Sequence, residues 1–300
     1  MVDDSGSIRV FEDLRERGRQ AVESGRLEEA LALYQQSAEV AEAIGDPKLQ
    51  DLALCNVAAA AISLGRGDGE VPRLREILLR NESIANCCLA AYNIARYYEL
   101  TKDFKKSLFY ARIARDRSEV LGRIDWIASS YNQIGNALLA ESLIEEACRH
   151  YEKALAMYAE PSIRRALMLD NLGYCRVLQS RFSDGYSLIY QSLAMLRRVG
   201  PRRYQLSPRL DLCFAHLETG RYEKARNHGR VALAIAEAAG DSDATKNALY
   251  LLGETANLLG DSFGARRYFS RLQQGFFPDQ PYLPSFLLAI DVRKLINLKA

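Results

Sequence analysis

Residues 127–161 read IASSYNQIGNALLAESLIEEACRHYEKALAMYAEP. Two amphipathic patterns lie in this stretch, joined by a short turn. The first sets Ile127, Tyr131, Ile134 and Leu138 on one stripe; the second sets Ile144, Ala147, Tyr151, Leu155 and Tyr158 on another. Steps of three and four residues bury one face of a helix. Gly135, Ala147 and Ala154 are small where two such helices would press backbone to backbone. The stretch predicts a helix, a tight turn and a returning helix that ends before Pro161.

The pattern recurs. With Gly135 as ruler, the equivalent positions are Gly18, Ala58, Ala95, Gly135, Gly173, Cys213 and Gly253, at spacings of 40, 37, 40, 38, 40 and 40 residues. All seven are small. Twelve residues on come Ala30, Ser107, Ala147, Gly185, Ala225 and Ala265, again small, with Glu70 as the departure. The turn between paired helices carries Gly25, Gly65, Gly220 and Gly260, with Lys102, Ser142 and Ser180 in the remaining repeats. Glycine there accepts a left-handed backbone at the first helix's end. Gly45, Gly122, Gly200 and Gly240 stand where second helices end, and Pro47, Pro161, Pro201 and Pro208 fall in the stretches between repeats. A registered period near 40 residues describes a stacked array and has no place in a single globular bundle.

Two regions depart from the period. Repeat 2 has Gly65, Gly67 and Gly69 in its turn and then Pro72, which predicts a wider loop and a short second helix over 72–80. After Pro278, Pro281 and Pro284 the sequence SFLLAIDVRKLINLKA reads as one more helix with Ser285 as its N-cap. Its apolar residues cover more than one stripe, which points to self-association or a downstream domain docking there. The expected organisation is a tail over 1–10, a seven-repeat array over 11–277, and a proline-punctuated linker and helix over 278–300.

The segment Tyr131-x2-Ile134-Gly135-x2-Leu138, then Ala147-x3-Tyr151, then Pro161, resembles the tetratricopeptide repeat (TPR) signature. The long period is similar to that of kinesin light chain, the Pins-type adaptors, and bacterial regulators of the Rap and MalT kinds. The resemblance implies an all-α, right-handed superhelical solenoid of about seven TPR helix pairs plus a C-terminal helix. It also implies a concave groove, lined by the first helix of each pair, that holds a peptide or partner segment. The Pins-type Leu-Gly-Asn at the ruler is approached only by Ile134-Gly135-Asn136, so that family's ligand does not carry over.

Composition excludes other classes. The 300 residues are 48% hydrophobic and 26% charged with a net charge of +2, too little for nucleic-acid binding by bulk charge. No run reaches membrane-spanning length, and the acidic N-terminus lacks the regions of a signal peptide; the reading is a cytoplasmic chain. The six cysteines form no Cys-x-x-Cys pair and read as buried small hydrophobes. His150, His216 and His228 are too scattered for a metal site. No phosphate-binding glycine motif or nucleophile elbow is present, so no cofactor and no catalysis are expected.

The candidate binding strip follows from the register. Two residues before the ruler stand Asn56, Asn93, Gln133, Asn171 and Asp211; one residue after it stand Arg96, Asn136 and Tyr174. Positions three apart share a helix face, and amides offer both donor and acceptor to the backbone of an extended peptide. The competing reading has the amides bonding across neighbouring helices to orient the repeats. Arg197, Arg198, Arg202 and Arg203 flank Gly200-Pro201; they either complement a helix C-terminus or receive a phosphate or acidic segment. The function expected is a non-catalytic protein–protein interaction scaffold. The alternative is an N-terminal sensory arm of a larger signalling protein, coupled through the C-terminal helix.

Overall fold

The computed structural model describes residues 4–293. The chain divides into two compact units, Met1–Glu141 and Ser142–Ala300. The first holds α1 (Asp4–Ser24), α2 (Leu27–Ile44), α3 (Pro47–Ser63), α4 (Glu70–Arg80), α5 (Ile84–Leu100), α6 (Phe104–Leu121) and α7 (Ile124–Ala140). The second holds α8 (Ile144–Ala156), α9 (Ile163–Leu178), α10 (Phe182–Val199), a 3-10 turn (Arg202–Gln205), α11 (Leu206–Glu218), α12 (Tyr222–Ala239), α13 (Ser242–Leu258), α14 (Ser262–Phe276) and α15 (Leu283–Ala289). The described residues contain no strand, as the all-α reading requires. Within each unit, consecutive helices pack in pairs and each pair packs on the next.

The small residues set the pairing distance. A methyl group on Gly173 of α9 would stand 3.1 Å from the Gly185 carbonyl oxygen of α10 and 2.6 Å from Ile189 Cγ1. On Gly253 it would stand 2.3 Å from Phe269 Cε1. Ala58, Ala95 and Cys213 at the same register are fully buried, as are Ala30, Ser107, Ala147, Ala225 and Ala265 twelve residues later.

Such close helices need a tight turn, and all seven turns have the same one. Gly25, Gly65, Gly220 and Gly260 lie at φ between 69° and 79°, and Lys102, Ser142 and Ser180 at 60° to 64°. A side chain in that region costs about 1–2 kcal/mol, so three turns carry strain that four avoid.

Several local readings are corrected. Gly200 is extended (φ −131°, ψ 154°), unlike the left-handed caps Gly45, Gly122 and Gly240; Pro201 follows it and drives the preceding residue to extended backbone. Pro208 lies in the first turn of α11 and Pro72 in that of α4, where a missing N–H has no partner to lose. α4 starts at Glu70, slightly before the expected 72, and buries Val71, Leu74 and Ile77 against Cys55, Ala58, Ile62, Cys87, Ala90 and Ile94. Residues 4–10, set apart above as tail, are the first turns of α1, extended back from the buried Phe11.

The C-terminal helix is shorter than expected. α15 ends at Ala289, and Ile290 is extended (φ −128°, ψ 125°). Its N-cap is Tyr282 and not Ser285, because Pro284 occupies a position in the first turn. The Asn257 side-chain N–H donates to the Leu288 carbonyl at 3.4 Å, Val292 is buried, and Arg293 pairs with Asp291 at 2.6 Å and with Glu218 of α11 at 3.3 Å. This segment closes the last repeat. Leu295, Ile296 and Leu298, on which the self-association reading drew, lie outside the described residues.

Two predictions follow from these contacts. Lys102→Gly and Ser180→Gly each relieve a left-handed side chain, and urea unfolding should show about 1 kcal/mol of added stability for each. The second prediction concerns Glu254 on α13, which faces Asp291 and Arg293. Burial, helped by Asp291 and opposed by Arg293, pushes its carboxyl from its ordinary 4.5 up to about 7. The folded chain therefore keeps a proton that the unfolded chain has lost, and stability falls as pH rises from about 4.5 to about 7. Glu254→Gln should remove that slope, worth up to roughly 3 kcal/mol, from denaturation curves taken across the window.

Candidate binding site

In the first unit the amides of successive first helices form a ladder. Asn86 of α5 donates its side-chain N–H to the Lys48 carbonyl of α3 at 2.8 Å, and Asn93 of α5 donates to the Cys55 carbonyl at 2.7 Å. Gln133 of α7 donates to the Tyr92 carbonyl of α5 at 3.1 Å. Each acceptor is a backbone oxygen one repeat back. Asn93 and Gln133 are buried, so here the amides orient neighbouring repeats. Asn56 is half-buried on α3, with its side-chain nitrogen enclosed and unbonded.

The residues one step past the ruler lie differently. Asn136 is half-buried and donates to a Glu99 carboxylate oxygen of α5 at 2.9 Å. Arg96 is exposed beside Glu99. Burial pushes the Glu99 carboxyl up, while Arg96 and the Asn136 amide pull it down. Arg96, Glu99 and Asn136 thus form a polar patch on α5 and α7.

In the second unit the position one step past the ruler is aromatic in two successive repeats, at Tyr174 and Phe214. Tyr174 of α9 is buried, and its ring centroid lies 5.8 Å from that of Phe214 of α11. Asn171 is half-buried. Asp211 is buried and lines a cavity of about 310 Å³ between α9, α11 and α13. Leu167, Leu206 and Leu210 give it an apolar wall, and Asp241, Asp243 and Asn247 at the start of α13 give it a polar rim. Arg203 and Tyr204 of the 3-10 turn close one side, with the guanidinium 4.8 Å over the Tyr204 ring. Lys246 pairs with Asp243 at 3.1 Å. Three carboxylates therefore meet two cations around the cavity.

Of the eight strip residues, the structure brings Arg96 and Asn136 together around Glu99, and places Tyr174 in the packing between α9 and α11. Asp211 is the member that reaches a cavity. Leu167, Leu206, Asp241, Asp243 and Asn247 are absent from the sequence reading. The nearest signal was the irregular spacer between Gly200 and Pro208, which forms the 3-10 turn of Arg202–Gln205.

The two units are built from the same element, a pair of antiparallel helices with small residues at the crossing. A tetratricopeptide repeat profile matches residues 127–160, and the paired helices of both units have the tetratricopeptide kind of architecture. Among solved structures, a Rap protein complexed with competence and sporulation factor superposes with a TM-score of 0.71 at 15% identity, over 89% of this chain and 74% of that one. The apo form of RapI gives 0.66 at 12% identity, over 88% and 97%. The apo quorum sensor NprR from B. thuringiensis gives 0.64 at 13%, over 90% and 77%. A search of curated protein sequences gave no match. At these identities the likeness is one of fold. Among the described residues no helix is long and apolar enough to cross a membrane.

The ladder makes a prediction. Asn93→Ala removes the buried amide bond to the Cys55 carbonyl, which keeps its own helical donor, and should cost about 1 kcal/mol. Asn136→Ala removes a bond from a side chain that is only half-buried and should cost less. Chemical denaturation of the two variants checks the order.

Proposed function

We propose that this chain is a non-catalytic scaffold that holds a segment of a partner protein or peptide, with the second unit's cavity receiving one of its side chains. The observation that carries this reading is the cavity itself. Its leucine wall suits an aliphatic stem, and its carboxylates outnumber the cations around it. A lysine or arginine side chain matches both parts: the stem lies on Leu167, Leu206 and Leu210, and the charged head reaches Asp211, Asp241 and Asp243. In the first unit, the exposed Arg96 can meet a partner's backbone. The Rap protein solved with competence and sporulation factor supports the reading, as a fold of this kind that holds a partner.

Charge removal at the rim tests it. Asp241 caps α13 by accepting the Ala244 N–H at 2.9 Å, a role that asparagine also fills. The double variant Asp241→Asn, Asp243→Asn therefore leaves the helix intact. Fluorescence anisotropy with labelled alanine-based pentapeptides carrying a central lysine, arginine or glutamate should show binding of the basic peptides only. The double variant should weaken that binding at least tenfold, the scale of losing a charge-assisted bond of about 1.5–3 kcal/mol. Equal binding of the glutamate peptide, or unchanged binding by the variant, would overturn the proposal.

A further inference from the structure

A second cluster of charge lies in the same unit, off the cavity. The 3-10 turn packs against α10, α11 and α12, and these four elements carry basic groups that act on one another. Arg197 ends α10, Arg202 opens the 3-10 turn, Arg209 lies in the first turns of α11 and His228 is on α12. None of the three arginines has a carboxylate partner among the described residues. Arg209 makes one hydrogen bond, from its Nη2 to Gln205 Oε1 at 3.4 Å, and its Nε is enclosed without a partner. His228 Nδ1 is likewise enclosed and unbonded.

The neighbours of His228 are fixed. Its ring stacks on His216 with centroids 5.6 Å apart, and its Nε2 lies 3.5 Å from the Tyr190 hydroxyl, which also meets His216 Nε2 at 3.0 Å. The charged groups around it are Arg209 from α11, Arg197 from α10 and Lys224 from its own helix; all are cations. Burial first, then these charges, pull its imidazole down to about 4. Burial, Arg197 and Arg202 likewise lower the proton affinity of Arg209. Like charges held together without a counterion raise the energy of the fold, and an enclosed donor with no acceptor adds to that cost. A bound anion removes both penalties.

We propose that Arg197, Arg202, Arg209 and His228 form a site for a doubly charged oxyanion of the phosphate-monoester class. Guanidinium groups present paired N–H donors that match two oxygens of one phosphoryl group. Three such groups exceed what a single carboxylate neutralises, which selects a dianion. Gln205 orients Arg209, and the extended Gly200–Pro201 step holds Arg202 beyond the end of α10. The site is independent of the cavity: Leu206, Ser207, Leu210 and Asp211 line the cavity from one face of α11, while Gln205 and Arg209 lie on the other.

The chain has three histidines, so His228 can be followed by NMR and assigned with a His228→Gln variant. Sulfate, doubly charged across the range, is the probe for its titration, against chloride at equal ionic strength. Its midpoint should rise by at least one pH unit in sulfate. Inorganic phosphate at pH 7.5 should perturb the same resonance saturably, and Arg209→Gln and Arg202→Gln should each weaken that response at least fivefold. Arg202 is exposed, so its replacement keeps the fold even where Arg209→Gln does not. An identical midpoint in sulfate and chloride, or an unchanged phosphate response in Arg202→Gln, would overturn the proposal. A phosphorylated side chain and a small phosphate ester share this chemistry. A phosphoserine pentapeptide binding more tightly than glycerol phosphate assigns the site to a partner's side chain, and the reverse order assigns it to a small ester. A phosphopeptide and a glycerol phosphate that bind no better than the unphosphorylated peptide count against the site.

Discussion

The structure depends on how closely two helices approach each other within a repeat. At Gly173 and Gly185 each glycine faces the other's carbonyl oxygen, at 3.1 Å and 3.0 Å from where a Cβ would sit. Helices this close leave no room for a gradual loop, so the chain turns at one residue of left-handed backbone. The same turn is present even where the residue is lysine or serine, which shows that packing outweighs the local cost. Dispersion contacts along each pair and burial of the alanine-rich seam then supply the stability, one repeat at a time.

Stacking one pair on the next is a separate problem, with a polar solution. Asn86, Asn93 and Gln133 each spend a side-chain N–H on a backbone carbonyl one repeat back. Apolar contact permits sliding, whereas a buried amide does not, because a shifted register leaves a donor and an acceptor unpaired. The first unit is in this sense a fixed wall on which the Arg96, Glu99 and Asn136 patch is displayed.

The second unit achieves a different result by breaking the pattern. The 3-10 turn before α11 contributes Arg203 and Tyr204 to the cavity, and α11 carries groups of opposite sign on its two faces. Asp211 joins the acidic cavity, and Arg209 joins the cluster of unpaired cations. Placing the two on one helix keeps the charges apart, as the two proposed sites, one for a basic side chain and one for an oxyanion, require. His216 and His228, both held near a pKa of 4, remain neutral at physiological pH and leave the arginines to set the sign of that surface.

The sequence by itself determined the repeat. Small residues at a fixed spacing and a turn residue seven positions later report local conditions, helix crossing and backbone handedness, that each repeat must meet. A pattern of this kind is therefore legible in one chain. The sequence also marked the amide positions without deciding between a partner's backbone and the chain's own. Asn93 and Asn136 look alike in the string, and only packing buries the first against Cys55 and leaves the second half open beside Glu99. Gly200 resembles Gly240 in the string, but Pro201 after it goes with an extended backbone in place of a left-handed one. The cavity could not be read at all, since Leu167, Asp211 and Asn247 are far apart in the chain and meet only when α9, α11 and α13 stack. Local geometry is encoded residue by residue, while burial and the company a side chain keeps arise only from the tertiary structure.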